Sequence, residues 1–116
     1  MTEHSTMSAL FRVRALAVCG TRLWCAVTGP LTVGTTHALR TELTDRCAGT
    51  TVVALDLRQL TCTSARIPLA APWPDDPHTI HVLASESLSS RTADDPRLRR
   101  HTELRTTWRA WTALCL

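Results

Sequence analysis

A helix-patterned segment followed at once by a strand-patterned one limits this chain more than any other feature. Leu39, Leu43 and Cys47 recur every four residues with Ala38 beside them, so one flank of a 3.6-residue helix is apolar. Thr35 or Thr36 offers its N-terminal cap, and Glu42 and Arg46 stand i, i+4 in the favourable order. Gly49 stands where a left-handed residue would close it. Thr51 to Leu57, TVVALDL, is then a nearly continuous β-branched and apolar run, which suits a central strand buried on both faces. A helix feeding such a strand calls for an α/β layer arrangement, because both apolar surfaces must be covered.

The flanking segments extend this pattern. Phe11, Val13, Ala15 and Ala17 alternate with polar positions, Cys19-Gly20-Thr21-Arg22 offers a turn, and Leu23 to Thr28 is again apolar, which predicts a hairpin. Gly29-Pro30 is expected to end it, since proline cannot donate to a ladder. Thr63 or Ser64 caps a helix toward Ala71 that Pro68 and Pro72 hold to two turns. Trp73 to Pro77 reads as a loop, Thr79 to Ala84 as a strand, and Ser85 to Asp95 as a polar insert. Asp95 as cap with Pro96 at the first helical position predicts a helix to about Thr106. Residues 108–116 read equally as more helix or a last strand. The expected organisation is a flexible stretch at 1–10 and one domain over 11–116.

At 116 residues, the chain can bury one core without metal or disulfide staples. Hydrophobic content of 44% against 20% charged is that of a folding chain. The formal net charge of +3 names no partner, and every basic side chain is arginine. Five widely spaced cysteines, Cys19, Cys25, Cys47, Cys62 and Cys115, contain no Cys-x-x-Cys pair. They are expected to be buried free thiols in a reducing cytoplasm. No stretch approaches the ~20 apolar residues of a membrane span, and the first residues lack a secretory signal.

Three blocks resemble the STAS domain family, which includes sulfate-transporter tails and anti-sigma-factor antagonists. In the first, Gly29-Pro30-Leu31-Thr32-Val33-Gly34-Thr35-Thr36-His37-Ala38-Leu39-Arg40 is similar to the family's strand-loop-helix phrase, with Thr32 where the family has an acidic residue. The second runs Val52-Val53-Ala54-Leu55-Asp56-Leu57, then Leu60-Thr61, and resembles the central-strand phrase. The third, Pro96-Arg97-Leu98-Arg99-Arg100 with Glu103-Leu104, resembles a phrase near the last helix. The resemblance implies a mixed four- to five-stranded sheet with helices packed mainly on one face. It also implies a non-catalytic domain that regulates transcription by binding a kinase-like anti-sigma factor. The family's phosphoacceptor phrase falls on Cys62-Thr63-Ser64-Ala65-Arg66. One deletion in the alignment puts the acceptor at Ser64 with Thr63 beside it, whereas no gap puts it at Ala65, which cannot be phosphorylated. By position, Thr32, Thr63, Ser64, Arg66 and Ile67 lie on the implied partner-binding surface.

Other constellations carry less. The acidic pairs Asp75-Asp76 and Asp94-Asp95 adjoin prolines and suit turns and caps. His78 and His81, i, i+3 on a strand, point to opposite faces, so no metal or other cofactor is expected. No nucleophile elbow or acid–base pair marks a catalytic site. Arg97, Arg99, Arg100, Arg105 and Arg109 form the one basic run; a solvated helix face explains it, and the alternative is a small nucleic-acid-binding module. A degenerate scaffold without a phosphorylation switch is the remaining alternative. Trp108 and Trp111 suit an interface or a core equally.

Overall fold

The computed structural model describes residues 11–31, 33–62, 73–89 and 94–113, less the side chains of residues 31, 33–35 and 62. Its elements are β1 (Arg12–Cys19), β2 (Arg22–Leu31), α1 (Val33–Arg46), β3 (Val52–Cys62), β4 (Thr79–Leu83), α2 (Glu86–Ser89), β5 (Leu98–His101) and α3 (Leu104–Thr112). Expected residues 1–10 and the helix toward Ala71 lie outside the described residues. The sheet is five-stranded and mixed, in the order β1-β2-β3-β4-β5. β1 and β2 form the expected antiparallel hairpin, turned at Gly20 with φ 60°, where a side chain would be strained. β2 to β5 are parallel.

This connectivity explains where the helices go. Each crossover joins sequential, adjacent parallel strands running in the same direction, and right-handed crossovers of that kind all fall on one face. Leu39, Leu43 and Cys47 of α1, Trp73 of the loop before β4 and Leu88 of α2 accordingly share one buried cluster. Their sheet partners there are Cys25, Val27, Val53, Leu55, Ile80 and Val82. The second face holds a smaller cluster of Trp24, Ala54 and Leu83 under Trp111 of α3. Val53, Ala54 and Leu55 are fully buried between the two layers, as a central strand requires.

Four expectations need correction. β2 runs through Gly29-Pro30 to Leu31, because β1 stops pairing at Arg12↔Thr28 and leaves β2 paired only with β3 at Pro30. A missing N–H is harmless on an open side. The helix expected from Asp95 is instead a turn followed by β5. The Asp95 carboxylate accepts the backbone N–H of Arg97 at 2.9 Å, a local bond that competes with helix formation, and Leu98 is buried beside Ile80. The helix begins later, at Leu104, and takes up Trp108 and Trp111. The insert at 85–95 contains α2, capped by Ser85 Oγ, which accepts the Leu88 N–H at 3.2 Å. Finally, Cys25 and Cys47 are buried free thiols, their pKa values raised by burial to about 11 and about 12, but Cys19 is disulfide-bonded. A reducing compartment does not favour such a bond.

Candidate partner-binding surface

In parallel α/β sheets, sites gather where strands end at their carboxyl edge. Here β2 and β3 extend beyond their neighbours and stay paired to their last residues, Gly29↔Leu60, Pro30↔Thr61 and Leu31↔Cys62. The Thr61 hydroxyl donates to the Gly29 carbonyl at 3.4 Å, and Gly29 has φ 109°, a conformation that excludes most side chains. Two chain ends thus leave the sheet side by side, one toward α1 and the other toward residue 63. Thr32, Thr63, Ser64, Arg66 and Ile67 all lie outside the described residues.

Along α1 the surface is polar. α1 and the loop before β4 frame an open groove of about 550 Å³ lined by His37, Arg40, Thr41, Asp45 and Asp75. Arg40 reaches Asp75 across it at 3.2 Å, and the Gly49 N–H donates to Asp76 at 2.7 Å. Asp75 and Asp76 therefore hold the loop to α1, which fits their turn role.

The basic run divides into unlike parts. Arg97 is an internal anchor: its guanidinium donates to both Asp95 oxygens at 3.0 and 2.9 Å and to the carbonyls of Pro74, Asp75 and Pro77 at 2.8, 3.1 and 3.0 Å. Asp95 holds the Arg97 pKa above its ordinary value, and Arg97 holds the Asp95 carboxyl below its own. Arg99 donates to the carbonyls of Pro96 and Leu98, and Arg100 reaches Asp94 at 3.3 Å. Arg105 and Arg109 stand exposed on α3. The five arginines form no single phosphate-binding stripe.

His78 and His81 separate as the strand period requires: His78 is exposed and His81 buried. No sequence pattern points to His81's neighbour. His101 of β5 lies diagonally across from it, Nδ1 to Nε2 at 3.0 Å, so one ring nitrogen donates to the other in the neutral pair. Burial, then repulsion from His101, Arg99 and Arg22, lowers His81 to about 4, and burial also lowers His101. Among the described residues no three His, Cys, Asp or Glu side chains come together to hold a metal.

The two tryptophans left undecided by sequence take different roles. Trp111 is buried, donates Nε1–H to the Leu23 carbonyl at 3.0 Å, and has its own carbonyl capped by Arg22 at 2.7 Å. A cation there also suits the helix C-terminus. Trp108 is 48% exposed, with its ring 5.5 Å from Trp24 and 5.4 Å from Trp111. Trp24 was legible only as one residue of an apolar run.

Neither a protein-family model nor a curated protein sequence matches the chain. Among solved structures, an anti-sigma factor antagonist from Mycobacterium paratuberculosis superposes with a TM-score of 0.53 at 14% identity, over 86% of this chain and 94% of that one. No described helix is long and apolar enough to cross a membrane. The likeness is one of fold: a mixed, five-stranded α/β sheet of the kind found in an anti-sigma factor antagonist.

Proposed function

We propose that this chain is a non-catalytic protein-interaction domain that regulates transcription by binding a kinase-like anti-sigma factor. The observation that carries the reading is the in-register end of β2 and β3, Leu31↔Cys62, within a fold shared with an anti-sigma factor antagonist. Chain leaving two paired strand ends starts from one edge, so Thr32 and the segment Thr63, Ser64, Arg66 and Ile67 are the positions to present to a partner. Ser64 is the phosphoacceptor candidate, with Thr63 beside it. A phosphoryl group there would add roughly −1.5 to −2 charges, which would repel an acidic partner surface or be costly to desolvate against an apolar one. The nucleic-acid alternative is weakened by the engagement of Arg97, Arg99 and Arg100 in ion pairs and backbone contacts.

The test is a pull-down of a kinase-like anti-sigma factor by the wild type, Ser64→Ala and Ser64→Asp. Loss of binding in Ser64→Asp alone supports a phosphorylation switch. Equal binding by all three leaves a constitutive binder, and no binding by the wild type removes the anti-sigma reading.

A further inference from the structure

Two irregularities fall at the same level of the sheet. In β1 the pairing moves from Ala15↔Cys25 to Ala17↔Trp24, leaving Leu16 as an extra residue. In β3 it moves from Ala26↔Asp56 to Thr28↔Gln59, leaving one extra residue there too. Bulges bend strands and re-aim side chains. On the second face they open a cleft of about 190 Å³ lined by Arg14, Leu16, Ala26, Thr28, Asp56 and Gln59. α3 lies over β3, β4 and β5 and reaches β2 at Leu23 and Trp24, one strand repeat short of Ala26.

Half-exposed apolar side chains lie in the cleft and on the helix beyond it: Leu16 lines it, and on α3 Trp108, 5.5 Å from Trp24, follows Leu104 by one turn. Its charge is positive. Strand alternation puts Arg12 and Arg14 on the face of Thr28 and Ala26, and on the helix Arg105 follows Leu104, with the N-cap residue Glu103 before it. None of these three makes an ion pair with a described residue. The one carboxylate in the cleft, Asp56, is held through both oxygens by Arg58 at 2.9 and 2.8 Å. A second copy of the chain would set arginine against arginine, and the bulge at Leu16 spoils the β1 edge for strand addition.

We propose that this groove on the second sheet face, between Leu16 and the Leu104–Trp108 ridge, docks an acidic amphipathic helix of a partner protein. Its acidic residues meet Arg12, Arg14 and Arg105, and its apolar anchors meet the Trp108 indole and Leu16; Trp and Arg are the side chains on which such contacts concentrate. The groove shares no residue with positions 32 and 63–67, so it stands independently of the function proposed above.

The test uses the full chain, labelled with ¹⁵N, and two synthetic helical peptides that share one Leu/Phe stripe and differ in having Glu or Lys at every polar position. The Glu peptide is expected to move the indole signals of Trp108 and Trp24 and leave Trp73 in place. Arg14→Glu with Arg105→Glu should weaken it at least ten-fold, while the equal charge change on α1, Arg40→Glu with Arg46→Glu, should not. Thermal melts confirm that each variant is folded. Equal binding of the Lys peptide, shifts confined to other residues, or no shift up to about 1 mM peptide would overturn the proposal.

Discussion

Replacing Arg97 by alanine is expected to damage the fold more than any other single arginine change. Five hydrogen bonds leave this guanidinium, two to Asp95 and one each to Pro74, Asp75 and Pro77, and they join the β5 turn to the loop before β4. Both partners are mostly covered, with side-chain exposures of 25% for Arg97 and 19% for Asp95. Truncation strands one carboxylate and three carbonyls. Breaking a fully buried pair costs about 3–5 kcal/mol, and water can reach these groups in part, so ~2–3 kcal/mol is expected. Arg97→Lys keeps the charge but not the fork and should recover less than half of the loss. The acid response provides a second readout. Arg97 depresses the Asp95 pKa from 3.8, so this stability is present above that value and is lost as the pH falls through the folded pKa. Urea denaturation followed by circular dichroism at pH 7 and near pH 3 should show that Arg97→Ala lacks this component of acid loss. A cost under about 0.5 kcal/mol, within the range of ordinary surface substitutions, or an unchanged acid response, would refute the reasoning.

Leu43→Ala and Val53→Ala should each cost ~2–4 kcal/mol by equilibrium denaturation, because both are fully buried in the α1-sheet cluster; a small loss at both would remove that packing. His81, lowered to about 4 from 6.5, makes the native state refuse a proton that the unfolded chain accepts, so stability should fall as pH drops from about 6.5 toward 4, by on the order of 3 kcal/mol, and His81→Gln should flatten that segment of the profile. Of five cysteines, the Cys19 disulfide removes two, so unreduced denatured protein should titrate three thiols and reduced protein all five; five without reductant would exclude the bond. Duplex DNA should show no submicromolar, steeply salt-dependent complex by fluorescence anisotropy.

Periodicity made the first layer of this fold readable. The four-residue recurrence of Leu39, Leu43 and Cys47 and the run TVVALDL reported helix and central strand because each pattern comes directly from burial. Arg97 to His101 misled for a physical reason: Asp-Pro starts turns as well as helices, and a four-residue strand with only Leu98 buried carries too little alternation to be distinguished. The bulges at Leu16 and after Asp56 depend on how two strands meet, which no single strand records; the broken alternation Ala15-Leu16-Ala17-Val18 was the only trace. The His81–His101 pair likewise joins residues 20 positions apart through sheet order. For the candidate site, the sequence could nominate Ser64 and its neighbours by resemblance, while the pairing Leu31↔Cys62 that gathers their strand ends required the sheet itself.

Among the described residues one sheet face is left to α3, and this has a consequence for folding. Every described strand, and the helix α1 that covers the first face, precedes residue 104, so those layers can form without α3. In its absence Trp24 and Leu83 have no Trp111 above them, and Arg22 has no Trp111 carbonyl to cap. A chain cut before residue 104 should therefore be structured yet adhesive, and should bind chaperones through the face that the eighth residue of α3, Trp111, otherwise covers.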